Sequence, residues 1–273
     1  MAARTAATMP RSDLPAHTSA SQLSAYARCP RAYAYRYLEH REPEVRSTGM
    51  ALGSAVHSTV QWWFEQRAQE REVSIEQALK ILNADLAAAT AFDNVCWRDT
   101  TPERLQAEGA RLVRLFIEQK GDLPVIESEV RFDFVIVDPD TGEQMPRPLL
   151  GYFDAELVTG NLIELKTAKR SYSEVDLRVG IQFSAYRTAA RYHGVDVELM
   201  ALIRTKTPKL QHAVLPHDRD VSRWFMASAA TIERAVLAGH FPPASGMACS
   251  SCEYRRACLG VQAEVVDGEA EAA

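Results

Sequence analysis

Glu164 and Lys166 stand two residues apart at the end of a short apolar run, Leu162-Ile163-Glu164-Leu165-Lys166. On a strand, residues at that spacing point to one face. A buried carboxylate beside a buried ammonium is expensive unless each has a partner or a task, so this acid and base form a candidate site. A second apolar run, Tyr152–Val158, precedes it and carries Asp154, and Thr159, Gly160 and Asn161 between the runs read as the turn of a β-hairpin. A two-residue Gly160-Asn161 turn would send Asp154 to the face opposite Glu164 and Lys166. An odd-numbered loop, Thr159 to Asn161, pairs Val158 with Leu162 and brings Asp154 onto their side. The odd loop is the expectation. The alternative is an ordinary Asp154 to Lys166 ion pair across a half-exposed hairpin.

Cysteine supplies a second signal. Of five cysteines, three form Cys249-x2-Cys252-x5-Cys258, Cys29 precedes Pro30 far upstream, and Cys96 stands alone in an expected loop. A chain with no secretion signal is expected to keep its thiols reduced, which favours a metal over disulfides. A fourth ligand is then needed, and Cys29 is the choice. The spacing suits zinc or an iron-sulfur cluster.

These residues need a scaffold, and the chain has the means to build one. Its 273 residues are 47% hydrophobic, enough for one large domain. Residues 1–17 contain no apolar run and read as a disordered lead, and 263–273 as a disordered acidic tail; neither resembles a signal peptide or a membrane span, so a cytoplasmic location is expected. A net charge of -5 argues weakly against a nucleic-acid binder. Yet between Glu164 and Leu210 nine Lys or Arg face five acids, a net of +4. Arg28, Arg31, Arg36 and Arg41 lie among tyrosines, an arrangement on which single-stranded bases could stack; the bland alternative is a solvated helix face.

Periodicity and caps place the elements. Helices are expected from Ser19 to Arg28, from Pro30 to Tyr37 or Leu38, over Gly53–Arg71, from Ser74, and from Thr101-Pro102-Glu103. The period then changes to alternation over Val125–Val137, with a turn at Asp138–Gly142 leading to the central hairpin. One helix is expected over Ser173–His193, strands over Val195–Ile203 and Gln211–Leu215, and a last helix over Asp218–Leu237. The fold class is α/β or α+β, with a helical insertion in front of a central mixed sheet.

Six motifs in order carry a resemblance. Ser-x-Ser-x-Leu-x-x-Tyr-x-x-Cys-Pro at Ser19–Pro30, Gly-Ser-Ala-Val-His at Gly53–His57, Gly-x-x-Asp at Gly151–Asp154, Glu-Leu-Lys at Glu164–Lys166, Gln-x3-Tyr at Gln182–Tyr186 and the final cysteines resemble the PD-(D/E)xK nuclease superfamily. The likeness is to its RecB-like branch, the iron-sulfur exonucleases that include CRISPR-associated nucleases. It implies a restriction-endonuclease-like core and one domain over 18–262: a helical part 18–122, a nuclease core 123–238, and an iron-sulfur segment 239–262 joined by Cys29. It implies Asp154, Glu164 and Lys166 as catalytic residues. His57, Asp154, Glu164 and the Leu165 carbonyl would ligate Mg2+ or Mn2+; taken alone, His57 beside Val56 and Val60 reads as a core histidine. Gln182 and Tyr186, four apart on one helical face, would position DNA, while Tyr186 could also be core, as Phe183 should be. Cys29, Cys249, Cys252 and Cys258 would hold a [4Fe-4S] cluster as a structural staple, and Glu129 and Glu156 are spare acids ranked below Asp154. No G-x-x-x-x-G-K-[ST] phosphate loop is present, so a helicase or CRISPR adaptation proteins would be partners from outside. The expected activity is a metal-dependent DNA exonuclease acting on single-stranded ends; the alternatives are a catalytically idle DNA-binding adaptor and a structure- or site-specific endonuclease.

Overall fold

A computed structural model describes residues 14–92 and 94–260. The chain runs α1 (Ala20–Arg28), α2 (Pro30–Tyr37), β1 (Arg46–Ser47), α3 (Thr48–Ala68), α4 (Ile75–Ala89), β2 (Val95–Cys96), α5 (Pro102–Lys120), β3 (Val125–Phe134), β4 (Leu149–Leu157) and β5 (Leu162–Ala168). It continues through α6 (Glu174–Val179), α7 (Ile181–His193), β6 (Val197–Ile203), β7 (Lys209–Leu215), α8 (Arg219–Leu237), a 3-10 turn at Met247–Ser251 and α9 (Arg255–Leu259). The expected tail and most of the expected lead lie outside the described residues. Leu14 is placed, packing beside Tyr26 and Tyr33.

The caps behave as their chemistry requires. Ser19 accepts the Gln22 N–H, Thr101 accepts that of Arg104 ahead of Pro102, and Ser74 with Gln77 forms a reciprocal capping box. Two helix expectations are corrected. α3 starts at Thr48, five residues before Gly53. The single helix over Ser173–His193 is two, because Gly180 takes an extended ψ of 123° between them; after proline, glycine is the residue that least favours helix continuation. Cys96 is also corrected: it lies in the two-residue β2, opposite Ser47, rather than in a loop.

Five strands form a mixed sheet in the order β3-β4-β5-β6-β7, parallel between β5 and β6 and antiparallel elsewhere. Helices cover both faces. On one, α1, α7 and α8 pack Leu23, Phe183 and Phe225 against Phe132, Phe153, Leu162 and Leu199. On the other, α3, α4 and α5 pack Phe64, Leu82 and Phe116 against Leu157, Ile163, Leu165 and Met200. Coverage of both faces explains why β5 and β6 are largely apolar, with Glu164 and Lys166 of β5 and Glu198 of β6 as the charged exceptions. The expected helical part is thus divided between layers.

A buried ion pair ties the β3–β4 connection to α8. Arg147 donates twice to Glu233 on α8, both at 2.8 Å, with side-chain exposures of 6% and 0%. The Tyr33 hydroxyl, itself 3.4 Å from Gln22 Oε1, lies 3.5 Å from Arg147 Nη2. Removing one partner leaves a buried charge unpaired, which costs roughly 3–5 kcal/mol. Glu233→Gln should therefore lower the unfolding free energy in urea by about that amount, and adding Arg147→Met should recover most of it. A single variant as stable as the wild type would refute the assignment.

Candidate active site and cysteine cluster

The hairpin has the expected odd loop, one residue earlier than expected. Leu157 donates to Asn161, so the loop is Val158-Thr159-Gly160, with Gly160 at φ +87°. Moving a three-residue loop by one position preserves parity, and the ladder pairs Ala155 with Ile163 and Glu156 with Leu162. Continuing that register sets Asp154 opposite Glu164 instead of Lys166. The ladder stops there, and the strands part. Into the gap goes the Asp154 carboxylate, whose Oδ2 accepts the Leu165 N–H at 2.6 Å. The N–H and C=O of a strand residue point to the same edge, so the Leu165 carbonyl faces that gap too.

The strands also change their facing helices at this point. Val130 and Phe153 are paired and belong to the α1-α7-α8 side, whereas Ser128 reaches Glu65 on α3 and its partner Ala155 belongs to the α3-α5 side. Between these pairs stand Glu129, at φ +55°, and Asp154. The changeover lets Asp154 meet α3, where His57 Nδ1 lies 3.1 Å from Asp154 Oδ1. An ionised carboxylate only accepts, which assigns the proton to Nδ1 and leaves the Nε2 lone pair free. Gly151 belongs to the same construction: a Cβ there would stand 2.4 Å from Phe132 Cζ.

Glu164 and Lys166 point to the α7 side and pair directly with each other. Glu164 is 1% exposed, and burial pushes its carboxyl up to about 8 against the pull of Lys166, with Asp154 adding repulsion. Burial opposes the Lys166 charge, but Glu164, Tyr186 and Asp154 hold it protonated, above the usual lysine range. Burial likewise opposes ionisation of Asp154, yet the His57 hydrogen bond and charge and Lys166 keep it below the usual carboxylate range. From α7, Gln182 Nε2 lies 3.4 Å from Glu164 Oε1 and 3.3 Å from the Tyr186 hydroxyl, and Lys166 Nζ sits 5.9 Å from the Tyr186 ring centroid. Tyr186 is also core, packed on Phe132 and Phe153, and Phe183 is core alone.

A cavity of about 100 Å³ opens beside Asp154, walled by His57, Gln61 and Glu129 over an apolar floor that includes Phe64 and Leu165. Among the described residues no three His, Cys, Asp or Glu side chains are gathered closely enough to hold a metal ion as they stand. The donor types nevertheless suit a hard divalent cation: two carboxylates, one imidazole nitrogen and a strand carbonyl directed into the gap. Glu129 shares this cavity, whereas Glu156 lies beyond the parting. Neither the positive φ of Glu129 nor the Arg147-Glu233 pair left a signal in the sequence, since both arise from partners distant in the chain.

The expected iron-sulfur ligands come from both ends of the fold. All five cysteines are free. Burial and the thiols of Cys29, Cys252 and Cys249 raise the Cys258 thiol, but among the described residues no three of these side chains are gathered closely enough to hold a metal as they stand. Cys29 Sγ accepts the Ala244 N–H at 3.5 Å, and Cys249 Sγ lies 3.9 Å from the Ala244 carbonyl. Glu44 fastens the segment by accepting the Arg256 and Ala257 N–H groups at 3.0 and 2.8 Å. Four thiols are a donor set for zinc or iron-sulfur.

Residues 17–259 match the PD-(D/E)XK nuclease superfamily. No curated protein matches the sequence. Among solved structures, one described as "Putative exonuclease" from Eubacterium rectale is similar, with a TM-score of 0.56 at 13% identity over 88% of each chain, a likeness of fold. SSO0001 is similar at 14% identity over 82% of this chain and 92% of that one, with a TM-score of 0.36 on which nothing rests. Among the described residues no helix is long and apolar enough to cross a membrane.

The Glu164 carboxyl gives a pH signature. The folded protein keeps its proton up to about pH 8, while the unfolded chain releases it near an ordinary value of about 4.3. Its stabilising contribution is complete below the unfolded value and is lost as pH rises through the folded one. In chelator the melting temperature should fall across that interval, and less so for Glu164→Gln. Equal slopes would show that Lys166 keeps the carboxylate ionised throughout.

Proposed function

Because the chain belongs to the PD-(D/E)XK nuclease superfamily, we propose that it is a metal-dependent DNA nuclease of the RecB-like, iron-sulfur branch, acting as an exonuclease on single-stranded ends. The observation that carries this reading is that Asp154, held on the Leu165 N–H where β4 and β5 part, stands within reach of the charges of the Glu164-Lys166 pair. Asp154, Glu164, His57 and the Leu165 carbonyl would hold Mg2+ or Mn2+. A bound divalent ion supplies Lewis acidity at a phosphoryl oxygen and an activated nucleophile at neutral pH. Lys166 offsets charge on the phosphate and orients the attacking water. Gln182 restrains Glu164 and Tyr186, and Tyr186 gives the Lys166 ammonium a fixed aromatic wall.

Cys29, Cys249, Cys252 and Cys258 would hold a [4Fe-4S] cluster joining the α1-α2 corner to the C-terminal segment. The substrate is DNA, and any unwinding would come from a partner such as a helicase or CRISPR adaptation proteins.

The decisive test uses anaerobically purified protein with single-stranded DNA labelled at either end, in manganese, magnesium or chelator. Label should be lost only with metal, and Lys166→Ala should slow that loss by about 10²-fold or more. A folded protein that binds DNA with salt-sensitive affinity but never cleaves it would mean an idle adaptor. Iron and acid-labile sulfide should accompany the protein and disappear in Cys258→Ser; stoichiometric zinc without iron would refute the cluster.

A further inference from the structure

Among the described residues, one charged side chain away from the Asp154-Glu164-Lys166 group is buried without a partner. Arg187, which follows Tyr186 on α7, is 8% exposed, and its Nε is enclosed with no hydrogen-bond acceptor. Among the described residues no carboxylate oxygen lies within 4.0 Å of its guanidinium. Asp218 is the acid whose charge reaches it, but Asp218 is already engaged. Its Oδ1 caps α8 by accepting the Asp220 and Val221 N–H groups at 2.9 and 3.1 Å, and its Oδ2 faces Arg178 Nη2 at 3.9 Å. Burial disfavours the Arg187 charge by more than the attraction of Asp218 restores, and Arg178 adds a smaller repulsion. His217, the residue before this cap, likewise has Nε2 buried with no partner.

Two guanidinium groups and one carboxylate leave a local excess of positive charge where α7 passes the start of α8. Packing does not ask for it, because the neighbouring Thr188 and Ser222 already satisfy each other across the two helices at 3.2 Å. A methionine would fill similar space at lower desolvation penalty. The place is also joined to the candidate active site. α7 carries Gln182 and Tyr186 to Glu164, and the Ser184 hydroxyl ties α7 back to the Arg178 carbonyl at 3.4 Å. The missing partner is an acceptor with negative charge, and a guanidinium fork matches the paired oxygens of a phosphodiester.

We propose that Arg187, with Arg178 beside it, binds a backbone phosphate of the DNA strand that leads to or from the candidate active site. The proposal rests on the nuclease reading for the identity of the anion. Neither residue touches the Glu164-Lys166 pair, so both are positioning residues.

The test compares the wild type with Arg187→Met, and with Arg67→Ala, which removes one exposed charge paired to Asp122. Melting temperature is measured with and without inorganic phosphate, and single-stranded oligothymidylate binding in chelator is measured over a range of salt. Arg187→Met should melt at or above the wild-type temperature, lose the phosphate-induced rise, and bind the oligonucleotide on the order of tenfold more weakly. Its log-log salt slope should be shallower by about 0.7, the value of one single-strand phosphate contact. Arg67→Ala should resemble the wild type in all of these. A lower melting temperature for Arg187→Met with unchanged phosphate and DNA binding would overturn the proposal and make Arg187 a packing residue. A wild type stabilised by phosphate through Arg187 but unable to bind DNA would keep the anion site while removing the nuclease reading. A wild type that responds to neither anion would overturn the site.

Discussion

The structure turns on the parting of β4 from β5 after a short ladder. Up to Ala155 and Ile163 the strands pair normally; beyond them Asp154 must satisfy a backbone N–H that the next strand residue would otherwise have met. Buried backbone donors demand partners, so a side-chain carboxylate in that position is held firmly. The same parting exposes the Leu165 carbonyl to the gap. Candidate ligands are thereby fixed by the sheet itself and not by a flexible loop.

Around that gap the protein keeps charges of opposite sign in balance. Glu164 is more buried than any isolated carboxylate should be, and Lys166 is the group that makes its position tenable. The two helical layers divide the work. α3 brings His57 to Asp154 from one face, and α7 brings Gln182 and Tyr186 to Glu164 from the other. The break at Gly180 frees α7 to take its own direction, separately from α6.

The cysteine segment addresses a different problem, how to hold the α1-α2 corner against a C-terminal stretch with little core of its own. Glu44 caps α9, and the rings of Tyr35 and Tyr254 stand 5.6 Å apart beside it. Closing a loop of more than two hundred residues costs only logarithmically more than closing a moderate one. The proposed cross-link through Cys29 would therefore secure both ends at little extra entropic cost.

Much of this was legible beforehand, because it follows from local rules. Alternation in β3, the Ser74-Gln77 capping box and Pro102 behind Thr101 gave elements close to those found. The odd parity of the 158–160 loop was read correctly although its position was misjudged by one residue, but parity did not settle the face of Asp154, because the change of face there turns its carboxylate to His57 on α3 while Glu164 meets α7. Four of the six ordered motifs carried the residues that approach the gap, while the Ser19–Pro30 and terminal cysteine motifs lie away from it. What the amino-acid order could not determine were the features that need two distant segments at once. These are the change of face at Glu129 and Asp154, the Arg147-Glu233 pair, the division of the N-terminal helices between layers, and the lack of a partner for Arg187. Sequence determined which side chains could do chemistry and which way a strand turns them; only the tertiary packing decided which were desolvated and paired, because burial and ion pairing belong to the assembled layers and to no single stretch of chain.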